Sequence, residues 1–374
     1  MLAPAGLATR LSFFGAGFTL AAWAPLIPFA KAQLGATDAQ LGLLLLCLGV
    51  GSIIAMPLTG IICAKRGARG MILLGGAGLV LLFPVLILSS SLPMLGAALL
   101  LFGASLGTID VAMNVHGAEI ETRQARPMMS GFHAMWSVGG IAGAGTMTGL
   151  LSLGLGPVQA AFIGAVIAAA VLIAAAPKLI QTTTTGSGAS AFALPRGIVL
   201  LIAGLTAIIF LVEGAVLDWG ALLTMDRALL PKAQAGLGFM LFSVAMAIMR
   251  LLGDRLVARV GGFRTLLGGG LAVMLGLALA SFGPGLVLSM LGFVLIGLGA
   301  ANLVPVLFSA AGRQKIMPPP LAIAAVTTTG YGGLLMGPAL IGFVSQAVGL
   351  VLAFAGLVLL MAAFPLFARR VARI

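Results

Sequence analysis

Acidic side chains are scarce in this sequence, and three of them lie inside long apolar runs. The chain has 374 residues, of which only eight are Asp or Glu. Asp110, Glu213 and Asp218 are flanked by apolar residues, whereas the other five acids lie near the ends of such runs. A charge held at membrane depth costs at least about 2.5–3.5 kcal/mol, so an acid kept there usually has a function. These three residues are the first candidates for chemistry.

Asp110 is the strongest candidate for handling a proton. Asn114 follows one helical turn later, so the two side chains share a face. The sequence predicts no Lys or Arg at the depth of Asp110. A desolvated carboxylic acid without a close cation is more stable in its neutral form, and it releases its proton when water reaches it. We interpret Asp110 as a proton-coupling residue. The alternative is a neutral or Arg-paired acid that only holds helices together.

The other two acids lie on one predicted helix. Glu213 is a second proton-coupling candidate, for which a functional and a packing role are equally supported. Asp218 follows five residues later, about 140° around the helix, beside Trp219 and near the outer surface. We therefore predict an interfacial or gating role for Asp218.

Aromatic and imidazole side chains provide candidate contacts to a solute. His133 could relay protons, because imidazole titrates near neutral pH; it could equally be a locally bonded residue at a helix end. Aromatic rings offer stacking surfaces for a sugar or a flat solute, although packing explains them as well. The predicted contacts of this kind are His133, Trp23, Trp136 and Tyr331.

Motifs of enzymes are missing from the sequence. There is no P-loop, no paired spacing of metal ligands and no Gly-x-Ser-x-Gly turn. We therefore predict no enzyme activity, no bound metal and no cofactor, and a membrane enzyme is a minor alternative.

The composition indicates that most of the chain is surrounded by lipid rather than by water. The chain is 61% hydrophobic and 7% charged, whereas a soluble domain is about a quarter charged. Runs of about 18 or more apolar residues read as membrane-spanning helices. Twelve such spans are predicted, at 9–30, 41–63, 71–89, 93–117, 128–151, 157–176, 197–220, 235–252, 265–282, 285–310, 321–346 and 349–368.

The basic residues orient these spans. With the N-terminus in the cytoplasm, all of the 20 Lys and Arg residues except Lys31, Arg227 and Lys232 fall on the cytoplasmic side, Arg250 among them. The positive-inside rule therefore explains the net charge of +12 without a nucleic-acid partner, and it places both termini in the cytoplasm.

The chain divides into two similar halves. Residues 177–196 are polar, with the run Gln181-Thr182-Thr183-Thr184-Thr185, and read as a cytoplasmic linker between 1–176 and 197–374. Leu106-Gly107 in the fourth span parallels Leu298-Gly299 in the tenth, about half the chain later. Parallel six-helix halves around a central site are a known plan of transporters.

Two loops carry a family resemblance. Gly60 near the end of span 2 is followed by Lys65, Arg66, Gly67 and Arg69 before span 3, with Ala64 at an acid position. Between spans 8 and 9 lie Gly253, Asp254, Arg255, Arg259, Gly261 and Arg264. This pattern resembles the major facilitator superfamily. In that family these loops brace the cytoplasmic side in one conformation. The resemblance implies gating roles for Asp254, Arg255, Lys65 and Arg66.

A second resemblance points to a branch of that family. Asp110 followed by Asn114, and Asn302 followed by Pro305 and Ser309, are similar to the fucose–proton symporters. The symporter's acid in helix 1 is missing here. The chain also resembles uncharacterised bacterial inner-membrane members. These resemblances imply that helices 1, 4, 7 and 10 line a central site where Asn114 and Asn302 contact substrate.

The sequence as a whole predicts an all-α membrane protein with 12 transmembrane helices in two pseudo-symmetric six-helix bundles. We expect a monomeric, proton-coupled secondary transporter of a small, sugar-like solute, working by alternating access in the bacterial inner membrane. Its partners would be the solute, protons and the lipid bilayer. A drug or metabolite exporter is one alternative, and a non-transporting receptor or scaffold is another.

Overall fold

The chain is helical throughout the part that the structure describes. The structure is a computed structural model, and it describes residues 2–36, 38–182, 194–230 and 236–374, in which there is no β-strand. Most of the predicted linker and Lys232 lie outside these residues. The helices are α1 (Leu2–Trp23), α2 (Ile27–Leu34), α3 (Asp38–Arg66), α4 (Arg69–Leu88), α5 (Leu92–Gln124), α6 (Met129–Ser152), α7 (Pro157–Ala175), α8 (Ile198–Asp226), α9 (Leu237–Phe282), α10 (Gly285–Ala300), α11 (Leu303–Arg313), α12 (Pro319–Val348), α13 (Leu350–Met361) and α14 (Ala363–Ala372).

Ten helical stretches in the described residues are long and apolar enough to cross a membrane. One of them is the whole of α9, which has 46 residues, although Gly261 within it has the non-helical angles φ 79° and ψ 162°. Two helical segments therefore meet at Gly261. The 24-residue helix α6 is not among the ten. The protein is a multi-pass membrane protein.

Prolines interrupt two spans that hydropathy predicts to be continuous. The span at 285–310 is two helices, α10 and α11, which are separated at Ala301 and Asn302. Pro305 has no N–H to donate to the carbonyl four residues earlier, which is that of Ala301. Pro365 has the same relation to Met361, and there α13 gives way to α14. Each pair of helices together still has the length and apolarity of one crossing, as predicted, but the helix is divided within it.

The helices form two compact units, each described here by itself. The first comprises Met1–Ala125, Phe132–Leu194 and Met317–Ala325, and so contains α1 to α5, most of α6, and α7. The second comprises Arg126–Gly131, Pro195–Ile316 and Val326–Ile374, and so contains α8 to α11, most of α12, α13 and α14.

Small residues let the helices approach closely in both units. In the first unit, Gly103 on α5 lies against the backbone of Leu48 on α3, and Ser52 Oγ donates to the Gly103 carbonyl at 2.8 Å. In the second unit, a Cβ on Gly276 of α9 would lie 2.7 Å from the carbonyl oxygen of Gly292 on α10. Such contacts favour packing of membrane helices, where the surrounding lipid supplies no hydrophobic driving force.

Candidate functional site

A chain of three polar side chains connects α5 and α6 in the first unit. Asp110 is only 8% exposed and Asn114 is fully buried. Asn114 Nδ2 lies 3.0 Å from Asp110 Oδ1, and Asn114 Oδ1 lies 3.2 Å from His133 Nε2. Because an amide oxygen only accepts hydrogen bonds, His133 Nε2 donates to it. Asp110 and Asn114 therefore contact each other on one face of α5, and His133 on α6 joins them.

The backbone of α5 fixes the orientation of Asn114. Its Nδ2 also donates to the backbone carbonyl of Asp110, at 2.9 Å, one turn earlier. This bond is the side-chain-to-backbone pattern that Asn forms inside helices. The amide oxygen is consequently presented to α6. The ring of Phe13 on α1 packs against His133, with 5.1 Å between the ring centroids. The amide of Asn114 therefore bridges a half-buried imidazole and a buried acid.

A second charged site lies in the second unit, where Glu213 on α8 faces Arg250 on α9. Glu213 Oε1 and Arg250 Nη2 are 3.8 Å apart, and Arg250 is 9% exposed. The predicted span ends at residue 252, so the sequence analysis expected Arg250 at the cytoplasmic end of its helix. The helix continues past Arg250 to Gly261. Burial is tolerable here because an acid on the neighbouring helix pairs with the guanidinium.

Arg250 is also tied to the break between α10 and α11. Its Nε donates to the Ala301 carbonyl at 3.3 Å, and this is the carbonyl that Pro305 leaves without a helical donor. Arg250 is the buried charged residue of this site that the sequence analysis did not single out. The sequence did contain two signals for it. Pro305 follows Ala301 by four residues inside a predicted span and leaves its carbonyl without a helical donor. Glu213, an acid inside another predicted span, calls for a buried cation.

Asn302, a predicted substrate contact, lies at this break. It is 3% exposed, and its Oδ1 has no hydrogen-bond partner in the described residues. A Cβ added to Gly253 on α9 would collide with that oxygen, so the absence of a side chain at Gly253 makes room for it. Asn302, Arg250 and Glu213 thus belong to one unit, whereas Asp110, Asn114 and His133 belong to the other.

The predicted gating residue Asp254 binds the start of α6. Its Oδ1 accepts a hydrogen bond from the backbone N–H of Gly131, at 3.0 Å, in the first turn of that helix. A carboxylate is stabilised at this position by the positive end of the helix dipole. Arg255, the next residue, is exposed.

The loop between α3 and α4 is bound by the residues that follow α7. Lys65 and Arg66 end α3 and are exposed. The Gln181 side chain donates to the Arg66 carbonyl, and the Ala68 N–H donates to Thr182 Oγ1 at 2.9 Å. Residues 179–182, which we call the α7 tail, therefore secure this loop.

His116 anchors the same tail from α5. The Ile180 N–H donates to His116 Nε2 at 3.2 Å, and His116 Nδ1 lies 2.9 Å from Thr9 Oγ1. Because Nε2 accepts a hydrogen bond, the imidazole is neutral and its proton lies on Nδ1. His116 is fully buried, and its two ring nitrogens are both bonded to protein groups, as expected of a structural residue.

The remaining predicted residues are dispersed. Trp23 ends α1 and is 3% exposed, with an indole N–H that has no partner in the described residues. Trp136 is half-buried, and Tyr331 packs edge-on against Phe210 with 6.0 Å between centroids. Asp218 is exposed. A small pocket in the first unit is lined by α1, α4, α5 and α7, and its lining within the described chain includes none of the predicted site residues.

Curated relatives match almost the whole chain. An uncharacterised MFS-type transporter of Yersinia pestis is 47% identical over 368 residues, which cover 98% of this chain and 96% of the relative. The uncharacterised transporter y4wD of Sinorhizobium fredii is 35% identical over 345 residues, which cover 90% of each chain. Neither name states a substrate.

Solved structures share the fold. The human organic anion transporter MFSD10 superposes with a TM-score of 0.79 at 19% identity, covering 98% of this chain and 99% of that one. The E. coli fucose:proton symporter FucP superposes with a TM-score of 0.74 at 17% identity, covering 98% of both chains. The family model for the Major Facilitator Superfamily matches residues 10–314. The chain belongs to the Major Facilitator Superfamily of transporters.

Proposed function

We propose that the protein is a proton-coupled secondary transporter of a small solute that works by alternating access. The observation that carries the proposal is the hydrogen-bonded chain of Asp110, Asn114 and His133. A buried acid bonded through an amide to a half-buried imidazole has the parts needed to take up and release a proton. Proton coupling is favoured over sodium coupling, because Na⁺ would need several oxygen ligands around one carboxylate.

The proposed topology has twelve crossings. Counting α9 as two segments that meet at Gly261, and adding α6, brings the ten candidate spans to twelve. The halves are 1–176 and 197–374, joined by a cytoplasmic linker at 177–196. Both termini then lie in the cytoplasm, and the protein works as a monomer in the bacterial inner membrane.

The proposed gates are the two loops that resemble the family pattern. Asp254 braces one conformation through its bond to Gly131, with Arg255 beside it. Lys65 and Arg66 act in the loop that the α7 tail secures. Asp218, exposed near one end of α8, is proposed to act at the rim of the pathway.

The proposed substrate is a small polar solute of sugar-like size, contacted by Asn114 and Asn302 and by the aromatic residues Trp23, Trp136 and Tyr331. The likeness of fold to a fucose:proton symporter supports this direction. Export of a drug or metabolite is the second candidate, supported by the apolar lining of the pocket in the first unit. A receptor or scaffold role without transport is the candidate of another class.

The test is solute-driven proton movement. Solutes that raise the melting temperature of the purified protein are first identified in a thermal-shift screen, because ligands that bind the folded state stabilise it. Each is then added to vesicles containing the protein, and the external pH is recorded. We expect proton movement with at least one such solute. Transport of radiolabelled solute without any proton movement would rule out proton coupling, and binding without transport would favour the receptor alternative.

A further inference from the structure

The helix α14 has an exposed face that is apolar near its start and cationic at its end. The buried side of this helix carries Phe364, Ala368 and Val371. On the other side Leu366 is 74% exposed, and exposed arginines follow it at the spacing i+3, i+4 and i+7. These arginines are Arg369, Arg370 and Arg373. Residues at this spacing share one side of a helix, so the four side chains form a stripe about 10 Å long.

An arginine of α9 adds a fourth charge to this stripe. The guanidinium carbon of Arg369 lies 5.7 Å from the centre of the Phe263 ring on α9, a cation–π contact that restrains the side chain. Arg264 follows Phe263 and is exposed. The two helices approach closely nearby, since a Cβ added to Gly270 would lie 2.6 Å from the Cβ of Phe364. We call Arg264, Arg369, Arg370 and Arg373 the arginine patch.

The arginine patch has no acidic partner within the described residues. Each of its four arginines is exposed, and none of them makes an ion pair there. The acids of the second unit are Glu213, Asp218, Asp226 and Asp254. Of these, Glu213 faces Arg250, and Asp254 accepts a hydrogen bond from Gly131. Four like charges therefore lie together without compensation, and an anion that binds them would relieve their repulsion.

The position of the arginine patch in the sequence puts it at a membrane surface. The helices α13 and α14 together have the length and apolarity of one crossing, over Leu350–Ala372. Three of the four arginines lie at the end of this crossing, where a helix leaves the hydrocarbon and reaches the lipid headgroups. Leu366, one turn before Arg370, is exposed on the acyl-chain side of the same stripe.

We propose that the arginine patch binds an anionic phospholipid of the leaflet at which α14 ends, with the headgroup phosphate on the arginines and an acyl chain against Leu366. A guanidinium donates two parallel hydrogen bonds to a phosphate. Clusters of basic residues at the end of a membrane helix attract anionic lipids. Because the patch takes arginines from both helices, the bound lipid connects α14 to α9. The inference goes beyond solute transport and does not depend on it.

The stripe favours a lipid over a soluble anion or an acidic protein. A soluble phosphate contacts the arginines alone, whereas a phospholipid presents phosphate and hydrocarbon in the order in which the stripe presents cations and apolar surface. The uncompensated charge of the patch also selects among lipids. A zwitterionic headgroup carries its own cation, which the four arginines repel, so an anionic headgroup binds more tightly.

Two lipids with the same acyl chains test the inference: dioleoyl phosphatidylglycerol, which is anionic, and dioleoyl phosphatidylcholine, which is zwitterionic. The melting temperature of the purified protein in detergent is measured against the concentration of each lipid, because a bound lipid stabilises the folded state. Native mass spectrometry counts the lipid molecules that stay bound. We expect phosphatidylglycerol to stabilise the wild type more than phosphatidylcholine does. The triple variant Arg369→Gln/Arg370→Gln/Arg373→Gln should lose more than half of this excess and retain fewer molecules of phosphatidylglycerol.

A matched control variant removes the same number of charges outside the patch. Lys178, Arg196 and Lys315 are exposed, and Lys178→Gln/Arg196→Gln/Lys315→Gln should keep the excess stabilisation by phosphatidylglycerol. Inorganic phosphate and glycerol phosphate are added to the wild type as soluble probes, and neither should reproduce the effect of the lipid. If the triple patch variant does not fold, Arg370→Gln/Arg373→Gln replaces it, because that variant keeps the contact of Arg369 with Phe263.

Three results would overturn the inference. Equal stabilisation by the two lipids would show that the patch does not select an anionic headgroup and would leave an acidic protein as its occupant. An equal loss in the control variant would show that net charge alone attracts the lipid. Stabilisation by glycerol phosphate as large as that by phosphatidylglycerol would identify the occupant as a soluble anion. None of these measurements uses transport, so failure here and failure of solute-driven proton movement are separate outcomes.

Discussion

At the scale of single residues, the orientation of the Asn114 amide group has a direct consequence for Asp110. Asn114 gives its N–H groups to Asp110 and its oxygen to His133, so it can donate to the carboxylate whether or not that acid carries a proton on its other oxygen. The network therefore survives both protonation states of Asp110. Replacing the acid by an amide removes the titration and keeps the packing.

We predict that Asp110→Asn abolishes solute accumulation driven by a pH gradient while exchange of bound solute persists. Exchange does not require the proton site to empty, whereas net accumulation does. Both are measured in the same reconstituted vesicles with a solute identified by thermal shift. The matched control is Glu119→Gln on the same helix, where the pair with Arg123 is partly exposed and contributes no more than about 0.5 kcal/mol. Normal accumulation by Asp110→Asn would make Asp110 structural and move attention to Glu213.

At the scale of helices, the break between α10 and α11 links a proline to the buried arginine. Pro305→Ala restores an N–H that can bond the Ala301 carbonyl, so it competes with Arg250 for that acceptor. Proline inside a helix costs up to about 3 kcal/mol relative to alanine. We therefore predict that Pro305→Ala is as stable as wild type or more so, but transports more slowly, because the guanidinium plane is no longer fixed.

The chain contains its own control for this experiment. Pro365 makes the equivalent break between α13 and α14, with no ion pair of the Arg250 type beside it in the described residues. Pro365→Ala should change melting temperature in the same direction and leave transport intact. Equal loss of transport in both variants would show that helix flexibility, not the position of Arg250, is what Pro305 supplies.

Hydropathy predicted where most helices lie, because a helix that crosses lipid must be long and apolar. It could not predict Arg250, whose burial depends on an acid from another helix, nor the bond from His133 to Asn114, which depends on how α5 and α6 pack. The interruptions at Pro305 and Pro365 were within reach of the sequence, since a missing N–H acts on a carbonyl at a known distance along the chain. Hydropathy averages over such single residues.

At the scale of the whole molecule, the proposed topology makes a prediction about sidedness. Reporter fusions after Arg69, Gly188 and Ile374 should all give cytoplasmic signals, because most basic residues would otherwise lie outside. A fusion after Ser90, between the third and fourth predicted crossings of the first half, should give the opposite signal. Two reporters are fused at every site, one active only in the cytoplasm and one active only outside it, so that each result is confirmed by the other reporter. An external signal at Gly188 would contradict the division into six and six crossings.

The pair of Glu213 and Arg250 also bears on how the chain is made. Each of these residues alone burdens its own helix during membrane insertion, and α8 leaves the ribosome before α9. The two helices are consecutive, so the partner of Glu213 arrives with the next segment to be synthesised. We therefore expect α8 to wait at the insertion machinery until α9 emerges, so that the two helices enter the bilayer together as a hairpin.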